Sequence, residues 1–248
     1  MCSVDRSRWL LAQQGEARYW YAAHPSLAEQ SRILDEKIQA LELARQAVPA
    51  LDSRNGLKVE VGIGPMGIGV LHFLPTEGPL VGIDPLPPLR TPNGLPRPLT
   101  ALVQSCWQDY LHIRACGEQL PIAAGATSLV ACYNVLDHVE SPLAVLSEIH
   151  RILQPGGYLL LCCDTISLAS FVKFHAYAKW RARDSLAVIC HPFHFLASHL
   201  EQLVAQAGFS VLWARRRTAE SLARVLGHAF RSLYVARKDP QGASNGRH

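Results

Sequence analysis

An α/β fold, a mostly parallel sheet covered by helices on both faces, is what this sequence predicts, and three observations carry the prediction. Apolar runs of strand length at residues 57–61, 80–84, 110–115, 129–133 and 158–163 alternate with helix-length segments, as parallel βαβ units require. The first run leads straight into Val59-Glu60-Val61-Gly62-Ile63-Gly64-Pro65-Met66-Gly67-Ile68-Gly69. Glycines there permit a tight turn in which the backbone approaches a ligand and the next helix aims its N-terminus at it, a cradle for a nucleotide-type cofactor. Finally, 49% of the 248 residues are hydrophobic, enough to bury a full core in one domain with extra helices.

Composition excludes several classes. The net charge of +4 is small, and although Arg215, Arg216 and Arg217 are consecutive, no basic stretch interleaves with aromatics as a nucleic-acid face would need; that run reads as solvated surface. No apolar stretch reaches the ~18 residues of a membrane span, and residues 1–10 mix in charges, so a soluble, cytoplasmic protein is expected. Seven cysteines without a Cys-x-x-Cys pair argue for reduced thiols, with Cys162 and Cys163 filling a strand. Nothing in the sequence speaks to oligomeric state.

In chain order, residues 5–21 have helical character and carry Trp9, Tyr19, Trp20 and Tyr21, which either pack on the main domain or cover a pocket. Residues 26–48 form a second helix by the spacing of Leu27, Leu34, Ile38, Leu41 and Val48, stopped by Pro49. Residues 1–51 are therefore read as an N-terminal cap or lid, 52–238 as the main domain and 239–248 as a disordered tail. The second strand ends in Asp84, about 20 residues past the glycines, where a ribose-binding acid belongs. Six prolines between Pro85 and Pro98 exclude helix there and give a surface flap, after which residues 100–108 form a short helix. Residues 141–153 form a helix ended by Gln154-Pro155-Gly156-Gly157, and later helices lie near 168–183 and 196–207, with strands near 209–214 and 233–237. Within 168–183, Phe171, Phe174 and Ala178 share the packing face, leaving Tyr177 and Trp180 for a pocket.

Three blocks, Val59 to Gly64 with its acid two residues before the first glycine, Val135-Leu136-Asp137-His138-Val139, and Ile152-Leu153-Gln154-Pro155-Gly156-Gly157-Tyr158, together resemble the class I S-adenosylmethionine-dependent methyltransferases that act on small molecules. The resemblance covers residues 57 to about 209. It implies a Rossmann-like seven-strand sheet ending in an antiparallel hairpin, with S-adenosylmethionine as cofactor. It also implies a cofactor site of Glu60, Gly62, Ile63, Gly64, Gly67, Asp84, Pro85, Cys116, Gly117, Glu118 and Asn134. Glu60 is placed to meet the cofactor's amino group, Asp84 the ribose hydroxyls, Asn134 the methionine moiety, and Cys116-Gly117-Glu118 the adenine edge. The chain departs from the family pattern at Cys116 and Ser128, where acids are common; a thiol is a weak acceptor for the adenine amino group.

Cys190-His191-Pro192-Phe193-His194-Phe195 is the second stretch dense in chemistry. No metal site is expected, because no second ligand pair is evident and Pro192 breaks any helix that would align the imidazoles. In related methyltransferases a histidine-rich turn at this place faces the acceptor. His191, His194 and, within the family block, His138 are thus the candidate catalytic bases, while hydrogen bonding to backbone accounts for each of them equally well. The expected reaction is methyl transfer to an oxygen, less readily a nitrogen, of a small glycan or natural-product acceptor. A nicotinamide-dependent oxidoreductase and a non-catalytic binding module of the same fold are the alternatives.

Overall fold

The computed structural model describes residues 3–23, 27–52, 55–75, 77–89, 97–172, 190–216 and 230–239. The expectations for Phe174, Tyr177, Ala178 and Trp180, and for the tail after Asp239, lie outside them. Seven strands form one sheet in the order β3-β2-β1-β4-β5-β7-β6: β1 Lys58–Val61, β2 Leu80–Asp84, β3 Tyr110–Arg114, β4 Thr127–Tyr133, β5 Leu153–Thr165, β6 Phe209–Arg215 and β7 Phe230–Lys238. β1 to β5 pair in parallel, while β7 lies antiparallel between β5 and β6. This is the sheet that the resemblance implies.

Alternating strand residues feed two cores, which is why helices cover both faces. Val130, Cys132, Leu159 and Leu161 face α4 (Pro142–Ile152) and α5 (Ala197–Gln206), meeting Val145, Leu146, Ile149, Leu200 and Val204. Leu129, Ala131, Leu160 and Cys162 face the other way, onto Leu41 and Ala44 of α2 (Leu27–Ala47). Local chemistry sets the ends of α4: the Ser141 hydroxyl accepts from the Ala144 amide at 3.3 Å, Pro142 opens the first turn, and the Lys238 ammonium donates to the carbonyls of His150 and Leu153, at 2.8 Å each. Arg216 pairs with Glu201 on the surface, and no helix among the described residues is long and apolar enough to cross a membrane.

Four sequence expectations change. No α-helix follows the glycine turn; a 3-10 helix of four residues, Val70–Phe73, stands there, and α2 occupies the sheet face behind it. Because α2 supplies core residues, the N-terminal helices do not form one separable cap: only α1 (Arg6–Ala17) and the π-helical turn Arg18–Ala23 lie off the sheet. The helix after the proline loop, α3, starts at Arg97 and takes Pro98 into its first turn, where a missing N–H is tolerated. Residues 154–157 bulge within β5 rather than ending α4: Leu153 pairs with Thr127 and Tyr158 with Leu129.

Candidate functional site

In this strand order β1 sits between β2 and β4, and the chain's crossovers leave a crevice where these strands end. A cavity of about 560 Å³ opens there, walled by Val61 of β1 and Gly62 after it, Ile83 and Asp84 of β2, and Tyr133 of β4 and Asn134 after it. Ile63, Gly64 and Pro85 line it, as do Cys116, Gly117 and Glu118 beyond β3. Trp9, Gln13 and Glu16 of α1 and Tyr19 and Trp20 of the π-helical turn after it also line the cavity.

The glycine turn is held from two sides. Gly62 has φ +72°, and a Cβ on it would lie 2.1 Å from the Val135 Cγ2, so the turn closes only on a bare backbone. The Gly64 amide donates to the Asp84 Oδ2 at 2.9 Å and the Leu86 amide to its Oδ1 at 2.9 Å, which fixes the carboxylate in the cavity wall. A carboxylate offers about four acceptor sites, so two remain for a ligand's hydroxyls. Burial pushes the Asp84 carboxyl up to about 6, against the pull of those two amides.

Asn134 holds a left-handed backbone at φ +56°, unusual outside glycine, and its side-chain Oδ1 is buried without a hydrogen-bond partner among the described residues. An orphan acceptor of this kind calls for a donor that the described residues do not supply. Together with the bare-backbone cradle at Gly62, it fits a cofactor that brings both ribose hydroxyls and an amino group.

Glu60 and Gly67 do other work than expected. Glu60 is fully buried behind the wall, where its carboxylate accepts from the amides of Val70 and Leu71, at 3.0 and 3.2 Å, and from the Tyr110 hydroxyl at 2.9 Å. Burial raises its pKa, and the Lys37 ammonium, 4.0 Å away, opposes that. It therefore anchors the 3-10 helix whose free amides a ligand would otherwise meet. Gly67 stays outside the cavity wall; a Cβ there would lie 2.8 Å from the His112 ring, which stacks on Trp107.

The histidines separate. Phe193 and Phe195 are buried and stacked on each other, and the backbone of Phe195 bridges to Thr165, so His194 between them leaves the cavity wall. His191 and His138 do line it, with ring centroids 4.4 Å apart. Asp137, which was read only as part of a motif, lies between them: its Oδ1 is 3.6 Å from the His138 Nε2 and its Oδ2 is 3.7 Å from the His191 Nε2. The His138 Nδ1 donates to the Cys190 carbonyl at 2.9 Å and to Glu16 of α1 at 3.2 Å. Burial disfavours the His138 cation, yet Asp137, Glu16 and that carbonyl outweigh it and carry the imidazole up to about 10. Sequence reasoning missed Glu16 because α1 has no motif; only the fold brings it across. The Asp137-His138 pair followed by His191 was the available signal for the cluster.

The fold and the cavity define an α/β protein built to hold a nucleoside-bearing cofactor at the carboxyl ends of its central strands. A family model described as a methyltransferase domain matches residues 39–213, and the chain belongs to that family, the class I S-adenosylmethionine-dependent methyltransferases. An uncharacterized methyltransferase of Schizosaccharomyces pombe is 29% identical over 116 residues, 45% of this chain and 40% of that protein, so the match spans less than half of the relative's length. Among solved structures, a methyltransferase candidate from Bacillus halodurans C-125 superposes with a TM-score of 0.56 at 16% identity, covering 81% of this chain and 98% of that one. A Haemonchus contortus phosphoethanolamine N-methyltransferase, solved with phosphomonomethylethanolamine and S-adenosylhomocysteine, gives a TM-score of 0.58 at 12% identity over 82% of this chain and 52% of its own. At such identities these two structures speak to the fold.

Proposed function

We propose that this chain methylates a hydroxyl oxygen of a small-molecule acceptor, of glycan or natural-product type, in the cytoplasm. Bound S-adenosylmethionine supplies a methyl group on a positively charged sulfur, whose charge is lost as the methyl leaves. The Gly62 to Gly64 backbone carries the cofactor's contact surface, Asp84 accepts from its ribose hydroxyls and Asn134 accepts from its amino group. Cys116, Gly117 and Glu118 border the adenine.

The observation that carries the choice of oxygen is the Asp137-His138-His191 cluster in the cavity wall. A hydroxyl must shed a proton before or as it attacks, and this cluster is where the cavity offers a group to take it: His138, carried up to about 10, stays protonated and is not the base, which leaves His191. His191, with a third of its side chain exposed, faces the acceptor side, and the Asp137 carboxylate 3.7 Å away offsets positive charge there. His194 lacks that access. Incubating the chain with S-adenosylmethionine carrying an isotopically labelled methyl group and a panel of hydroxyl and amine acceptors tests the reading by mass spectrometry. Label on oxygen supports it, and label on nitrogen alone, as in the Haemonchus enzyme's name, overturns the choice of atom.

Two expectations accompany this reading. Cofactor affinity should follow the ionisation of Asp84, because only the carboxylate accepts from both hydroxyls. Its pKa of about 6 lies above the ordinary 3.8, so burial of the ionised form costs stability above pH 6, a cost relieved as pH falls toward and below 3.8. Binding runs the other way: affinity for S-adenosylhomocysteine should be full above about pH 6 and fall by about tenfold per pH unit below it. A flat affinity profile from pH 7 to about pH 5 by calorimetry would remove Asp84 from the ribose contact.

The second concerns α1 as a lid. The Gln13 amide donates to the His138 carbonyl, Glu16 holds its imidazole, and the Tyr21 hydroxyl donates to the Pro87 carbonyl, so the segment is pinned across the cavity from both rims. Deleting residues 1–23, which leaves α2 in the core, should lower turnover while S-adenosylhomocysteine still binds. Undiminished turnover of a folded deletion would show that the segment only packs.

A further inference from the structure

We propose that Asp137, His138 and His191 bind one divalent first-row metal ion of the zinc type, with Glu16 and the Cys190 carbonyl as outer supports. The proposal deepens the reading above, since the ion would sit on the acceptor side of the same cavity. The sequence expectation of no metal rested on the want of a second ligand pair for the 190–195 turn; the fold supplies it from the β4 end. The ligand atoms of the three residues lie within 4.8 Å of one another. Asp137 lies 3.6 and 3.7 Å from the two imidazole nitrogens, too long for hydrogen bonds. For ligands sharing one tetrahedral ion at bond lengths of about 2.0–2.1 Å, separations of roughly 3.4 Å are required; Asp137 Oδ1 stands close to that distance from His138 and Oδ2 from His191, with one ligand atom of each residue within 4.8 Å of the others.

Asp137 is 2% exposed, and its Oδ1 has no hydrogen-bond partner among the described residues. A buried carboxylate oxygen left so is costly, and a cation between it and the rings satisfies it. The outer contacts match what metal-bound histidine needs. The His138 Nδ1–H is held by the Cys190 carbonyl and Glu16, which leaves Nε2, on the Asp137 side, to coordinate as the ion displaces its proton to solvent. Glu16 is itself held by the Trp20 indole N–H at 3.2 Å. The turn bearing His191 is fixed by the Phe193 amide on the Asp137 carbonyl at 3.3 Å and by the Ile166 amide on the Phe195 carbonyl at 2.8 Å. Two nitrogens and one oxygen leave a coordination position for a ligand, the arrangement of catalytic rather than structural zinc. An acceptor hydroxyl bound there would lose its proton to solvent water more readily, with no redox change at the ion.

The full chain, stripped with chelator and dialysed against Co²⁺ or Zn²⁺, should retain about one ion, and Co²⁺ should give the intense visible bands of a four-coordinate site. His191→Ala should abolish retention and Glu16→Gln should weaken it roughly 10- to 100-fold, while S-adenosylhomocysteine still binds both variants. Retention of a stoichiometric ion by His191→Ala, or none by the parent, overturns the proposal. Should Glu16→Gln fail to bind S-adenosylhomocysteine, His191→Ala alone decides. Metal bound without any oxygen methylation would defeat the functional reading alone, and full-rate oxygen methylation by metal-free protein would defeat the ion's part in catalysis alone.

Discussion

Gly62→Ala should lose cofactor binding while the β5–β7 side of the sheet remains folded. The substitution places a methyl 2.1 Å from Val135 Cγ2 and 3.2 Å from its Cβ and Cγ1, and Val135, β-branched, is stiff at χ1 while its Cβ does not move with the rotamer. It also puts a side chain at φ +72°. Left-handed backbone costs about 1 kcal/mol for such a residue and overpacking about 1–3 kcal/mol, so the competent turn becomes disfavoured by about 2–4 kcal/mol. Charged against binding, that is roughly a 30- to 1,000-fold loss of affinity. Gly64→Ala separates the two causes in stability: φ is +80° there, but nothing lies within 4 Å of the added Cβ, so it bears strain alone. Calorimetry finding parent-like affinity in Gly62→Ala would mean that the turn does not contact the cofactor.

His191→Ala should give the second large effect, a fall of roughly 10²- to 10⁴-fold in turnover with cofactor affinity unchanged. His191 reaches the cavity from a turn anchored by two buried phenylalanines, and none of the Gly62, Asp84 or Asn134 contacts depends on it. The loss is expected whether the imidazole takes the proton itself or holds an ion that eases its loss to solvent water, and metal content divides those cases. His194→Ala is the comparison, because its neighbours turn it away from the cavity; it should stay within about tenfold of the parent. Near-normal turnover in His191→Ala would leave positioning of the acceptor as the whole of catalysis.

How much was legible in the sequence depends on which forces are local. Strand length, apolar runs and the spacing from Gly62 to Asp84 are short-range signals, and β2 falls on the residues that they marked. Asn134 and Cys116 to Glu118 came from family likeness, and the fold places all of them in the wall. Glu60 could not be read correctly, because a carboxylate before a glycine turn looks the same whether it meets a ligand or two backbone amides. Gly67 likewise serves a ring stack contributed by Trp107 and His112, some 40 residues on in sequence. Glu16 meets His138 only when α1 folds over the end of β4, and Asp137 meets His191 only when the 190–195 turn comes back to it, contacts that no periodicity encodes.

The central claim is that the crevice at the ends of β1, β2 and β4 is an S-adenosylmethionine site, and titration calorimetry of the full chain tests it most directly. S-adenosylhomocysteine should bind at about one molecule per chain, with affinity lowered in Asp84→Ala by the roughly 1.5–3 kcal/mol of a hydrogen bond to a charged acceptor, and NADH should give no heat of binding. Saturable NADH binding with none for S-adenosylhomocysteine, or an Asp84→Ala variant that binds like the parent, would contradict it.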